Sequence, residues 1–257
     1  MTGPAGIITG AGSGIGAATA IEFARLGARL TLAALPIGDQ HPDGTGPGGR
    51  DLVSAPGLTE TVRAVERAGG TAVAVEMDVR DPLAVRQLVD AAVERYGRLD
   101  FVLANAGIAD QALASEGNPA VWQRLIETNL LGLMYCVRFA LPHMQRQRSG
   151  HLLLTASTSG RGAYVGEPAY IASKWGVVGF GHSVRMEVAS YGIRVTLVEP
   201  GAVDTPLTRN APKIRPLIES ITPLQPEDVA RAIVFAFQQP AHVTVTELAL
   251  RPLNQPE

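Results

Sequence analysis

Tyr170 and Lys174 stand four residues apart in Tyr170-Ile171-Ala172-Ser173-Lys174. On a helix that spacing stacks two side chains on one face. A phenol beside an ammonium is an acid/base pair. A free tyrosine, with a pKa of about 10, holds its proton too tightly to exchange it easily near neutrality. A neighbouring cation favours the phenolate, and a drop of about two units asks for roughly 3 kcal/mol of differential interaction. The same spacing occurs on helices without any catalytic role, so the pair takes its meaning from its surroundings.

Those surroundings hold further polar residues at telling places. Ser157 follows the apolar run His151-Leu152-Leu153-Leu154-Thr155-Ala156, and a serine at the carboxyl end of a parallel strand points toward a ligand crevice. With Thr158 and Ser159 beside it, Ser157 alone is ambiguous. Asn129 lies among apolar residues in Glu127-Thr128-Asn129-Leu130-Leu131-Gly132. It is a mediocre helix former, and its amide needs partners if buried; a structural hydrogen bond and a water-holding role both remain open. Thr9-Gly10-Ala11-Gly12-Ser13-Gly14-Ile15-Gly16 is a glycine-rich turn between a strand and a helix. Such a turn lets backbone approach a ligand closely and aims free N–H groups at a pyrophosphate. Asn105-Ala106-Gly107 forms a sharp bend after another strand, and Pro200-Gly201 is a turn signal. Thr205, before Pro206, either caps a helix or hydrogen-bonds a ligand amide. Asp81 before Pro82 suits a helix N-cap, which leaves Asp78 free for adenine or for a plain turn role.

The elements that must position these residues alternate along the chain. Strands are predicted at 5–9, 28–34, 71–77, 100–104, 150–156, 193–198 and 243–248. They are rich in Val, Ile and Leu with little alternation, as suits strands covered on both faces. Helices are predicted at 15–26, 57–68, 82–96, 119–146, 168–190 and 226–238, with Pro142 kinking or shortening the fourth. This order argues for one α/β domain over 1–257, a doubly wound parallel sheet of seven strands with helices on both faces. The Pro/Gly-rich stretch 36–56 reads as a surface insertion, and 203–224, with weak periodicity, as a substrate lid.

Composition narrows the function. A net charge of −2 without a long basic run does not ask for nucleic acid or an anionic membrane. No stretch is long and apolar enough to span a bilayer, and Met1-Thr2-Gly3-Pro4 lacks the basic start of a signal peptide. The one cysteine, Cys136, fits a reducing compartment, so a cytoplasmic protein is expected. The five histidines are scattered without metal-ligand spacing, so no metal is expected.

Together these residues resemble the short-chain dehydrogenase/reductase family over nearly the whole chain. The resemblance rests on Thr9-Gly10-x-x-x-Gly14-Ile15-Gly16, Asn105-Ala106-Gly107, Asn129, Ser157, Tyr170-x-x-x-Lys174 and Pro200-Gly201-x-Val203-x-Thr205. It implies a Rossmann-type fold and NAD(P)(H)-dependent hydride transfer between a carbonyl and a secondary alcohol. Tyr170 would exchange a proton with the substrate oxygen, and Lys174 would lower the Tyr170 pKa and bind the nicotinamide ribose. Ser157 would position the carbonyl, and Asn129 would hold a water linking Lys174 to solvent. Gly10, Ser13, Gly14, Ile15 and Gly16 would cradle the pyrophosphate, and Asp78 and Val79 would hold adenine. Asn105, Ala106 and Gly107 would line the ribose path, and Pro200, Gly201, Val203 and Thr205 the carboxamide side.

Ala34 departs from the aspartate of many NAD-dependent members. The 36–56 insertion resembles the longer loop of some actinobacterial members that hold NAD tightly, while the C-terminal run 226–248 resembles NADP-dependent 3-hydroxy-acid dehydrogenases. With no carboxylate to repel a 2′-phosphate, the balance leans to NADP; Arg50 in the insertion either reaches such a phosphate or is a solvated loop residue. Ile108, Arg161, Tyr164 and Gly166 are expected to line the substrate pocket, Arg161 either pairing with a substrate carboxylate or lying on the surface. Family members imply a homodimer or homotetramer through the helices at 119–146 and 168–190. A dinucleotide-sensing regulator that has kept the fold without catalysis is the alternative.

Overall fold

The computed structural model describes residues 3–35, 57–209, 211 and 215–255, with 217 described by its backbone alone. The insertion at 36–56, Arg50 included, lies outside the described residues. In chain order the elements are β1 (Ala5–Thr9), α1 (Gly14–Ala24), β2 (Arg29–Ala34), α2 (Leu58–Arg67), β3 (Thr71–Glu76), α3 (Pro82–Tyr96) and β4 (Phe101–Ala104). Then come α4 (Pro119–Ile126), a π turn (Glu127–Leu131), α5 (Gly132–Gln147), β5 (Gly150–Thr155), a 3-10 turn (Thr158–Gly160) and α6 (Pro168–Val188). A second 3-10 turn (Ala189–Tyr191), β6 (Ile193–Pro200), α7 (Pro206–Arg209), α8 (Arg215–Ser220), α9 (Pro226–Gln238) and β7 (Glu247–Leu250) complete the chain.

The seven strands form one sheet in the order β3-β2-β1-β4-β5-β6-β7, every pair parallel. Successive side chains on a strand point to opposite faces, and the core divides accordingly. Ile7, Leu152, Leu154 and Val195 pack with α3, α5 and α6. Ile8, Leu30, Leu103 and Leu153 pack with α1, α2 and α9. Each fully buried aliphatic contributes about 1.5–3 kcal/mol, which explains why these strands read as unbroken apolar runs. The winding reverses between β1 and β4, so the crevice outside their carboxyl ends is the place where a doubly wound sheet receives a ligand.

Asp81 caps α3 as expected, its side chain accepting from Leu83 N, with Pro82 at the first helical position. The helix expected at 119–146 runs without interruption from Pro119 to Gln147, widened by a π turn at Glu127–Leu131. Two expectations need correction. Pro142 does not shorten α5, which runs on to Gln147 and ends on Arg148 at φ 56; burial of Ala140 and Met144 on either side of the proline holds the last turns against the core. β7 begins at Glu247, four residues after the expected start. The stretch before it is held by single contacts, Thr196 Oγ1 to Val245 O and Leu197 N to Thr246 O, in place of a ladder. The 203–224 segment is pinned at its base by a parallel bridge between Val203 and Leu224 and contains α7 and α8. Among the described residues no helix is long and apolar enough to cross a membrane.

Candidate active site

The turn after β1 closes on glycine. Gly10 and Gly14 sit at φ +66 and +53, and a Cβ on Gly10 would stand 2.9 Å from Ala106 Cα. A side chain on Gly16 would strike Gly10 O at 2.3 Å, so that glycine lets α1 start against the turn. Thr9 stitches this turn to the bend after β4. Its Oγ1 accepts from Asn105 N at 3.0 Å and Ala106 N at 3.2 Å, while Asn105 Nδ2 donates to Thr9 O at 3.2 Å. Ser13 precedes α1 with no side-chain capping bond, and the first turn of α1 carries no acid. A helix start in that condition presents N–H groups and a positive dipole end to an anion.

At the other side of the crevice, β5 delivers Ser157 in extended backbone. Its Oγ accepts from Ser159 N at 3.1 Å and lies 3.4 Å from Pro200 O. α6 starts at Pro168 and places Tyr170, Ser173 and Lys174 within its first two turns. Lys174 is buried and donates from Nζ to Thr155 O at 2.9 Å, with Nζ 5.7 Å from the centre of the Tyr170 ring. The π turn admits one residue more than an α turn and carries the Asn129 amide. That amide accepts from Ile108 N at 2.8 Å and donates to Ile108 O at 2.9 Å and Ser173 Oγ at 3.2 Å. Ser173 in turn donates to Tyr170 O at 2.7 Å. Asn129 thus ties the loop after β4 to the helix that carries the phenol.

Two spaces meet at Ser157 and Tyr170. A crevice of about 180 Å³ runs between the glycine turn, where Thr205 stands against Gly14, and Lys174. A chamber of about 250 Å³ opens on the far side, walled by Tyr164, Gly166, Glu167 and Leu207 among others. Gly10, Ser13, Gly14, Ile15, Asn105, Gly107, Pro200, Gly201, Val203 and Thr205 all line the crevice, as does Ile108. Gly16 and Ala106 stand behind the wall as packing residues. Asp78 and Val79 lie outside it: the Asp78 carboxylate accepts from Arg80 N and Arg80 Nε, each at 2.8 Å, and Val79 is buried against Gly132.

Burial pushes the Tyr170 phenol up to about 12; the Ser157 hydrogen bond opposes this and the Glu167 carboxylate adds to it. Tyr170 is half-buried as a whole and lines both spaces beside Ser157. Burial also brings Lys174 down to about 8. The expected lowering of the phenol by Lys174 is therefore corrected: desolvation of the phenolate outweighs a cation whose own charge is disfavoured by the same burial. Arg161 is corrected too. It does not line the chamber but forks onto Glu199, Nη2 to Oε1 at 2.9 Å. Cys136 is buried and its thiol is pushed up to about 12.

Several site residues escaped the sequence reading. Thr155 holds Lys174 through a backbone carbonyl, which any residue type supplies. Glu167 shares Gln111, whose Nε2 donates to Oε1 at 2.9 Å. Gln255 reaches the chamber from the C-terminal segment, its Oε1 accepting from Ala202 N at 2.9 Å, while Gly201 N donates to Leu250 O at 2.7 Å. No local pattern marks these; only the Pro-Gly turn hints that something must cover it.

The family model for short chain dehydrogenase matches residues 52–215. The cis-4-hydroxycyclohexanecarboxylate dehydrogenase of Sinomonas cyclohexanicum is 37% identical over 245 residues, covering 93% of this chain and 91% of that protein. The crystal structure of carveol dehydrogenase from Mycobacterium avium in complex with NAD superposes with a TM-score of 0.83 at 29% identity, covering 98% of this chain and 97% of that one. A metagenomic short-chain oxidoreductase in complex with NADP gives a TM-score of 0.79 at 26% identity, over 98% and 97% of the two chains.

Proposed function

The chain belongs to the short-chain dehydrogenase family and is an NAD(P)-dependent oxidoreductase, and from that premise we propose that it interconverts a carbonyl and a secondary alcohol with Tyr170 as the acid/base. The observation that carries this reading is that Ser157 and Tyr170 both stand where the crevice joins the chamber. The crevice fits a dinucleotide: Gly10 and Gly14 line it with bare backbone, the start of α1 offers uncapped N–H groups, and Lys174 brings a cation to it.

The nicotinamide, when bound, supplies or accepts the hydride. The chain handles the proton. A phenol held near 12 is protonated at neutral pH, which suits donation to a carbonyl oxygen as charge develops on it. Ser157 hydrogen-bonds that oxygen and orients it. Lys174, fixed by Thr155 O, has the reach for the nicotinamide ribose. Asn129 fixes Ile108 and Ser173 around the pair, and its part in holding a water for Lys174 belongs to this proposal. Asp78 and Val79 would flank adenine, with NADP favoured because β2 ends on Ala34 and Leu35 without a carboxylate.

The chamber suits a compact ring-bearing ketone or alcohol, in keeping with the ring alcohols in the relatives' names. A homo-oligomer through α5 and α6 remains part of the reading, supported by exposed Trp175 and Met186 on α6. The test is calorimetric titration with NADPH and NADH, followed by a screen of cyclic ketones with the tighter cofactor. Cofactor binding without oxidation by any ketone, or reverse turnover with any alcohol, would return the protein to the sensing reading.

A further inference from the structure

Arg161 is a charged residue beside the site that the reaction leaves unexplained. It ends the short turn that begins at Ser157, where Gly160 N donates to Ser157 O at 2.8 Å and Arg161 N to Thr158 O at 3.0 Å. The turn rests on α6: a Cβ on Gly160 would come within 3.0 Å of Lys174 O, and Trp175 Nε1 donates to Gly162 O at 3.3 Å. On β6, alternation sends Glu199 to the same face as Leu197, toward α6, and leaves it 3% exposed. A carboxylate in that position needs a partner. The Arg161 fork supplies it, Nη2 at 2.9 Å and Nε at 3.1 Å from Glu199 Oε1. The same Nη2 lies 2.8 Å from Glu247 Oε1 and 3.3 Å from His182 Nε2, and His182 Nε2 is 3.2 Å from that Glu247 oxygen. Glu199 immediately precedes Pro200, whose carbonyl is 3.4 Å from Ser157 Oγ. The contacts close a ring: Ser157, its turn, Arg161, Glu199, Pro200 and back to Ser157.

Resting on the roles of Ser157 and Tyr170 given above, we propose that Arg161 is a positioning residue that ties the Ser157 turn to the end of β6 and keeps the serine hydroxyl in register with the phenol. Without the tie, the Pro200 side of the ring is left with a long 3.4 Å contact. The Ser157 hydrogen bond is what opposes the upward push on Tyr170, so loosening it reaches the proton step.

Arg161→Met alone would strand the Glu199 carboxylate, so the test is the pair Arg161→Met/Glu199→Gln, which leaves no unpaired buried charge between them. Hydrogen exchange across residues 156–162 needs no substrate, and about tenfold faster exchange is expected; unchanged protection overturns the proposal. With cyclohexanone as the probe, kcat should fall about tenfold with cofactor affinity kept within about twofold. The pH limb set by Tyr170 should move upward, as in Ser157→Ala, and the pair should cost nothing further in a Ser157→Ala background. Arg161→Lys, which keeps the charge and loses the fork, should fall between. Additive losses, or a wild-type pH profile, overturn the proposal. Full turnover in Tyr170→Phe would instead defeat the underlying acid/base reading, and the exchange measurement would still decide the tie.

Discussion

The crevice around Tyr170 and the surface beyond the end of β2 are built differently. At the Tyr170 end, Asn129, Ser157 and Lys174 are 1%, 8% and 5% exposed, and each is bonded to backbone of another element. Outside the crevice, where the proposed function puts adenosine, β2 finishes on Ala34, the next residue Leu35 is 40% exposed, and the Asp78 carboxylate is shared with Arg80. Reacting groups must hold their geometry to a fraction of an ångström, and buried hydrogen bonds provide that. Cofactor choice turns on one charge near a solvated ribose. It is carried by side chains that can change without disturbing the core.

The contrast breaks most visibly at Tyr170. Tyr170→Phe should lower turnover about 10³-fold with cofactor affinity nearly unchanged, read from steady-state kinetics beside calorimetry. If the loss appeared in affinity, the reacting end would be a binding end. Next in size is Asn129→Ala. It leaves Ile108 N–H and C=O without their partner, and urea unfolding should show a loss of about 2–4 kcal/mol. A smaller effect is expected at the opposite end: Ala34→Asp should weaken NADPH about tenfold through charge repulsion near the ribose, with NADH and kcat unaffected. Equal weakening of both cofactors would erase the distinction.

The smallest effect is a pH dependence. Lys174 is lowered from 10.5 to about 8 by burial, so affinity for the whole dinucleotide should decline as pH rises through about 8. Affinity for 2′-AMP, which occupies the adenosine end alone, should stay flat. Between about 8 and 9, before titration of the Cys136 thiol in the unfolded chain begins to oppose it, Lys174 binds more protons in the unfolded chain than in the folded one, so its contribution to stability rises with pH across that window. A fall there in chemical-denaturation midpoints would contradict the burial of its ammonium.

Most strands and helices were legible because burial on both faces writes a continuous apolar run and capping writes Asp81-Pro82. That Ser157, Tyr170 and Lys174 share one crevice was legible because their spacing is set by a single helix and by a strand end. What was not legible depends on direction in space. Glu199 and Arg161 are far apart in the sequence, and nothing local says that both turn toward α6. The π turn at Glu127–Leu131 has no pattern of its own, and its neighbours predict an ordinary α-helix. The sign of the shift at Tyr170 was misjudged because proximity of a cation can be read from spacing, whereas the depth of the site cannot. Pro142 was overruled by tertiary packing, the usual fate of a local propensity inside a core.

The segment that seats Gln255 against Gly201 and Ala202 makes late sequence part of the turn after β6. One wall of the chamber depends on a residue far in sequence from the site motifs, because Gln255 both lines it and holds Ala202 N. A fusion or substitution that unseats this amide should alter the chamber while leaving Ser157 and Lys174 in place.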